Sequence, residues 1–420
     1  MDKDLQSIQE VRDLLGQARQ AQRALERMTQ EQLDKITKAI SASAAEQARR
    51  LAELAVEETG FGIPADNPII FSPHPSAVNC ILEAVNVVRR AAESAGAPAG
   101  AIACITNPTL EATQALMRHD ATRLILATGG GAMVKAAYSS GTPAIGVGAG
   151  NGPAYIHRSA DVRLAVKRIL DSKTFDNGTI CASEQSIVVT REMEAAVSAE
   201  LKAQGAYLLS DEEHSRLSRF ILRSNGTMNP AIVGKSVETV AKLAGLDRVP
   251  PTARVLVARE RGVGRGYPYS NEKLGLILAY YVESDEEAVL RRCVEILEWE
   301  GAGHTFAIHA QDEDTVKRFA QEVPASRVLV NTPASLGGVG ATTCLFPALT
   351  LGCGAVGGSS SSNNIGPLDL INIKRVAWGV RELEDLRQDR APYQPGRPEQ
   401  AVAMPGLEEL VQQILRRLNV

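Results

Sequence analysis

The sequence predicts an α/β protein built on parallel, doubly wound sheets. Three observations predict it. Short apolar strands alternate with amphipathic helices from about residue 68 to about residue 369. One of those strands, "RLILAT", runs straight into three glycines and then a helix. The chain has 420 residues, 44% of them hydrophobic and 22% charged, the make-up of a globular protein with two or three domains.

Residues 4–58 come first and read as helices. Leu5, Ile8, Val11 and Leu15 share a stripe, as do Ile36 and Ile40 and, later, Leu51, Leu54 and Ala55. Gly60 and Gly62 end the last helix. "PIIFS" then reads as a buried strand and "SAVNCILEAVNVVRRAAESAG" as a helix closed by Gly96. "AIACIT" reads as a second strand. "NPTLEATQALMRH" reads as a helix with Asn107 as N-cap and Pro108 at its first position. "RLILATGGG", "AMVKAAYSS" and "PAIGV" give strand, helix and strand.

"SADVRLAVKRILDSK" is an amphipathic helix, capped by Ser159, with Val162, Ala165, Val166, Ile169 and Leu170 on its buried face. The turn "FDNG", Cys181 and the strand "SIVVT" follow. A second α/β region runs to about residue 369 through "NEKLGLILAYYV", "GAGHTFAIHA" and "RVLVNTPASLGG", closing on a glycine- and serine-rich loop. Residues 388–405 are a proline-rich, polar linker. In the tail, Leu407, Leu410, Val411, Ile414, Leu415 and Leu418 mark one helical face.

Composition narrows the partners. A net charge of −4 gives no electrostatic case for nucleic acid. No apolar run approaches membrane-spanning length, and "MDKDLQSIQE" lacks the apolar core of a signal peptide. Six cysteines lie far apart with no CxxC pair, which suits reduced thiols in a cytoplasm better than disulfides or zinc.

Cys181 follows Asp176-Asn177-Gly178, a strong turn signal, so it is partly reachable and close to backbone N–H groups that could stabilise a thiolate or an oxyanion. On these residues alone it reads equally as a small apolar filler at the start of a strand. Thr128, Gly129 and Gly130 stand where a backbone could approach a pyrophosphate, or where a tight turn is needed. His74 and His304 are lone histidines, expected to be structural and hydrogen-bonded, and no spacing suggests a metal. The serines of "GGSSSSNN" read as a flexible loop.

"SKTFDNGTICASEQSIVV" resembles the active-site stretch of the CoA-acylating aldehyde dehydrogenases, which include acetaldehyde and propionaldehyde enzymes and one half of aldehyde–alcohol dehydrogenases. "LAVEETGFG", "IIFSPHP", "LILATGGGAMVKAAYSSGTPAIGVGAGN", "NEKLGLILAYYV", "GAGHTFAIH", "RVLVNTPASLGGVGATTC" and "LTLGCGAVGG" are similar to family segments, in family order, up to about residue 387. The resemblance implies an aldehyde-dehydrogenase-like α/β fold. It places a helical segment at 1–66, a shortened cofactor-binding domain at 67–153, a catalytic domain at 154–369 and a return segment at 370–387. It also implies that Cys181 is the nucleophile and that NAD accepts hydride. Coenzyme A then receives the acyl group of a short-chain aldehyde. Thr128, Gly129 and Gly130 would line the cofactor cleft, Ser72 and His74 would lie near the adenosine end, and Glu272 would hold the nicotinamide ribose. Hydrolytic relatives carry a glutamate base in the segment matching "IGVGAGNGP", which has no carboxylate here, so a thiol acceptor is expected.

One departure stands out. The family has a long stretch between "ETGFG" and "FSPHP" that supplies the first βα unit, part of an oligomerisation hairpin and an oxyanion-hole asparagine. Here "ETGFGIPADN" runs directly into "PIIFSPHP", an internal deletion near residues 66–67. Thr106-Asn107-Pro108-Thr109 imitates the lost motif but reads as a helix cap. The tail at 406–420 resembles peptides that bring such enzymes into bacterial microcompartments, which implies a shell protein as partner, and the family implies a homo-oligomer. The alternative reading is a catalytically impaired family member that acts in assembly or shell binding.

Overall fold

The computed structural model describes residues 3–25, 27–59, 74, 76–223, 226–370, 375–380 and 382–384. "PIIFS", Gly60, Gly62, Ser72, the linker at 388–405 and the helix at 406–420 lie outside the described residues, as do the side chains of Leu54 and Ala55. The chain forms two compact units, 1–370 and 371–420, and the elements below belong to the first. No helix among the described residues is long and apolar enough to cross a membrane.

The N-terminal pattern forms α1 (Lys3–Leu25) and α2 (Gln30–Thr59). The inward face of α1 is not the expected stripe. Val11 is buried, but Leu5 is 60% exposed and Ser7 is buried in its place. The Ser7 hydroxyl donates to Asp4 O and meets Thr109 Oγ1 at 2.8 Å, so polar pairing turns the helix. Next come α3 (Val78–Ser94) and α4 (Leu110–Arg118). Thr109, not Asn107, caps α4 by accepting the Ala112 N–H, and Pro108 precedes the cap. Glu10 on α1 explains the shift, because it takes the Asn107 N–H and holds that residue outside the helix.

The strand expected at 101–106 does not form. Glu10 also accepts the Thr106 N–H and hydroxyl, and Ile105 packs with Val11 and Ala112. A strand needs a neighbouring ladder for its N–H and C=O groups; here a side chain has claimed one of them. β1 (Ile125–Thr128) and β2 (Ala144–Val147), joined by α5 (Gly131–Tyr138), make a two-stranded parallel sheet with Ile125 opposite Ala144.

The serine loop is ordered rather than loose. Ser359 Oγ donates to Gly146 O at 2.6 Å and Ser360 Oγ to Ala144 O at 2.8 Å. The Ser360 N–H donates to the Tyr138 hydroxyl at 2.9 Å. Serine hydroxyls thereby satisfy carbonyls along the free edge of β2.

The main sheet starts at β3 (Gly152–Ile156), α6 (Val162–Thr174) and β4 (Glu184–Thr190). α7 (Glu194–Ala203), β5 (Ala206–Leu208), α8 (Asp211–Ile221) and α9 (Val237–Ala244) follow. β6 (Val255–Arg259), β7 (Ile277–Glu283), α10 (Glu286–Trp299) and β8 (Gly303–His309) continue it. α11 (Glu313–Glu322), β9 (Ala325–Val330) and α12 (Ala334–Gly338) complete it. The strand order is β5-β6-β7-β4-β3-β8-β9, parallel throughout. One core packs α6, α7 and α12 on one face, and a second packs α8–α11 on the other. With both faces covered, strands can be apolar without alternation.

Asp161, not Ser159, caps α6 by accepting the Leu164 N–H. Ser159 is drawn instead to the turn before α11, where its Oγ accepts the N–H groups of Gln311 and Asp312.

Candidate active site

Between α6 and β4 the chain reverses through Phe175–Gly178. Asp176 and Asn177 have φ of 47° and 49°, and Gly178 has φ of 75°. Asp and Asn tolerate this left-handed region better than other side chains, and such strain clusters where a site must be aimed. Asn177 Nδ2 donates to Gly234 O at 3.0 Å. A Cβ on Gly178 would lie 2.6 Å from Gly275 O, so only glycine fits between this turn and the 273–275 turn. Cys181 follows within a tight bend closed by Ser183 N–H to Ile180 O at 2.9 Å. It is half-buried at the N-terminal end of β4.

Two further segments meet Cys181. Gly150 lies against its backbone, where a Cβ would sit 1.9 Å from Cys181 O. The Gly150 N–H donates to Glu272 Oε1 at 2.8 Å. Thus Cys181, the "GAGN" segment and Glu272, apart in sequence, form one constellation. The segment that lacks its own carboxylate receives one in space from Glu272. Burial pushes the Cys181 thiol up to about 12, with the Glu272 carboxylate adding to the shift. Burial likewise raises Glu272 to about 7, opposed by the Gly150 bond. The resting thiol therefore keeps its proton at neutral pH.

A buried polar brace fixes the Glu272 turn. Gln185 Oε1 accepts from Lys173 Nζ at 3.1 Å and from the Lys273 N–H at 2.9 Å. Lys173 Nζ also donates to Lys273 O at 3.1 Å. Lys273 Nζ folds back to Tyr269 O and Asn271 O, each at 2.6 Å. Glu300 Oε2 accepts the Glu272 N–H at 2.6 Å, and Asn151 Nδ2 donates to Ser270 O at 2.6 Å. Burial lowers Lys273 to about 7 and drives Lys173 well below the ordinary lysine range. Glu184, raised by burial to about 7, accepts the Ala334 N–H at 3.0 Å and ties β4 to α12.

Sequence reasoning missed these residues. For Lys173 a signal existed: it extends the buried stripe of Val166, Ile169 and Leu170 by one step, so a lysine stands on an apolar face. Lys273, Gln185 and Glu184 have no such periodic signature.

Thr128, Gly129 and Gly130 are exposed at the β1–α5 turn. Nothing lies within 4 Å of a Cβ built on Gly130 or Gly131, and neither has positive φ. Packing does not demand glycine there, and the open space suits the approach of a phosphate group to backbone at a helix start. Thr128 Oγ1 reaches Thr350 Oγ1 at 3.4 Å, at the head of the loop that carries Cys353. Cys353 lines one small pocket together with Gly148 and Ala149, so this loop lies between the glycine turn and the segment on Cys181. His74 is exposed, with Nδ1 accepting the Ser76 N–H at 3.2 Å. His304 is buried, its Nδ1 paired with Thr305 Oγ1 at 2.8 Å and its Nε2 without a hydrogen-bond partner among the described residues. Burial and Arg327 lower it to about 3, so the ring is neutral.

The model of the aldehyde dehydrogenase family matches residues 61–216, which hold the glycine turn and Cys181. The succinate-semialdehyde dehydrogenase (acetylating) of Clostridium kluyveri is 31% identical over 89% of this chain and 96% of its own. The chain belongs to the acylating aldehyde dehydrogenases. An acetylating aldehyde dehydrogenase from Geobacillus thermoglucosidasius has a crystal structure that superposes with a TM-score of 0.87. It is 44% identical, with 91% of this chain and 99% of that one covered. The bifunctional aldehyde–alcohol dehydrogenase of Escherichia coli is 38% identical over 88% of this chain but 50% of its own, so the chain spans about half of that relative's length.

Proposed function

We propose that this protein oxidises a short-chain aldehyde to acyl-CoA, with NAD as hydride acceptor and Cys181 as the acyl carrier. The observation that carries the reading is the meeting of Cys181, Gly150 and Glu272 at the end of β4. The names of the acetylating relatives support coenzyme A as acceptor. Bound NAD supplies a two-electron acceptor for hydride. The Cys181 sulfur, once deprotonated, attacks the aldehyde carbon and forms a thiohemiacetal. Loss of hydride from that carbon leaves a thioester on Cys181, and the CoA thiol displaces the cysteine to release acyl-CoA. Thr128, Gly129 and Gly130 line the cofactor cleft, with Ser72 and His74 toward its adenosine end, and Glu272 orients the ribose. Its turn, locked by Lys173, Gln185 and Lys273, is preformed for that task.

The protein works as a homo-oligomer in the cytoplasm, within a bacterial microcompartment reached through a shell contact of residues 406–420; the tethered apolar stripe of that tail supports this. The internal deletion near residues 66–67 is part of the same reading. In its support, the match to the E. coli relative runs over 443 residues, more than the 420 of this chain, so that relative holds residues without a counterpart here.

The test is mass spectrometry of the chain exposed to acetaldehyde and NAD, quenched before CoA is added. An acetyl group on Cys181, released as acetyl-CoA when CoA follows, is expected. A folded chain that binds NAD but never acquires the adduct overturns the reading. Free acid formed without CoA would instead make Glu272 the base of a hydrolytic enzyme.

A further inference from the structure

Cys181 occupies the N-terminal end of β4, which leaves the C-terminal ends of the strands without a role. In open α/β sheets, ligands bind beyond the carboxyl ends of strands, where neighbouring strands send their connections to opposite faces. β4 and β7 are such neighbours. β4 leads into α7 on one face, and β7 leads into α10 on the other. Beyond their ends and that of β6 lies a cavity of about 740 Å³. That volume falls in the range of roughly 300–1,000 Å³ typical of small-molecule sites.

Its lining offers anion donors and an unmet acceptor. Arg191 and Arg261 line the cavity, and neither pairs with a carboxylate among the described residues. The other two arginines there are already committed, Arg259 to Glu194 and Arg292 to Glu283 and Glu295. On the floor, Glu260 is only 8% exposed. Its Oε1 accepts the Arg261 N–H at 2.9 Å, but Oε2 has no hydrogen-bond partner among the described residues. His214 Nε2 lies 3.9 Å away and has no hydrogen-bond partner among the described residues. Tyr267 stands at the mouth, 39% exposed, its ring packed on Gly262. Glu194 and Glu283, paired with Arg259 and Arg292, and Asp211 on the first turn of α8 add carboxylates to the lining.

The geometry points to a second ligand site, for a nucleoside phosphate, at this β4–β7 crevice. The phosphate sits between Arg191 and Arg261, which supply charge-assisted hydrogen bonds. A hydroxyl or amino group of the nucleoside donates to Glu260 Oε2, and the base lies against Tyr267.

The test is isothermal titration of AMP, and separately of inorganic phosphate, into the full chain and into R191Q/R261Q and Y267A. These side chains are exposed, so the variants keep the fold; melting curves verify that. R191Q/R261Q is expected to weaken AMP and phosphate at least tenfold. Y267A is expected to weaken AMP about tenfold and leave phosphate unchanged. AMP that fails to bind the unaltered chain overturns the proposal. So does AMP binding that R191Q/R261Q leaves within twofold, because the ligand then sits elsewhere, as at Gly129 and Gly130.

Discussion

β4 buries all of its residues, whereas β1 buries only Ile125 and Ala127 and leaves Thr128 exposed. Both are parallel strands next to a candidate site turn, the Cys181 turn before β4 and the glycine turn after β1, yet their supports differ. β4 lies between β3 and β7 in a seven-stranded sheet covered on both faces. β1 pairs with β2 alone, and β2's other edge is held by serine hydroxyls. Two strands are marginal by themselves. The proposed nucleophile Cys181 is therefore fixed by the rigid sheet, while the glycine turn depends on a thin sheet and a borrowed loop. The difference teaches that the two halves of the chemistry should respond differently to perturbation.

Cys181→Ala sharpens the contrast most. It should reduce NADH formation from aldehyde and CoA by at least about 10³-fold while shifting stability by no more than about 1 kcal/mol. Stopped assays with a urea melt check both halves of that expectation.

Lys173→Met attacks the rigid side. It removes the donor to Gln185 and Lys273 O and leaves Glu184 without its cationic neighbour. The expected loss is about 2–4 kcal/mol in urea denaturation. A loss under about 0.5 kcal/mol would show that the brace is dispensable.

Ser359→Ala with Ser360→Ala attacks the thin side. Each change removes one hydrogen bond to β2, worth about 0.5–1.5 kcal/mol. Amide exchange in β1 and β2 should quicken roughly tenfold, with β4 and β7 unaffected. Uniform quickening across both sheets would erase the distinction.

Glu184→Gln gives the smallest effect and concerns pH. Burial raises the Glu184 carboxyl from 4.5 to about 7, so the folded state keeps a proton that the unfolded chain releases between those values. Stability from this group is full below about pH 4.5 and declines as pH rises through about 7. The glutamine variant should flatten that decline, by about 2–4 °C in melting temperature at pH 7 relative to pH 4.5. An unchanged slope would assign the pH dependence to Glu272 or another group.

Local pattern carried α6 and the strands β4, β7, β8 and β9, whose apolar runs stand out, but not the short strands β3, β5 and β6 or the helices between them. It failed where partners overrode it. Glu10 took the backbone N–H of the expected strand at 101–106, and Ser159 was diverted from its cap to the turn before α11.

The sequence by itself marked the segments that hold β4, β7, β8 and β9, where the chain turns before Cys181, and which glycines precede α5. Only the tertiary structure decided that Glu272 accepts the Gly150 N–H beside Cys181, and that two buried lysines lock its turn. The physical reason is range. Periodicity and turn chemistry act over a few neighbouring residues. A hydrogen bond from Lys173 to the carbonyl of Lys273 joins points a hundred positions apart, and it exists only once the sheet has brought them together.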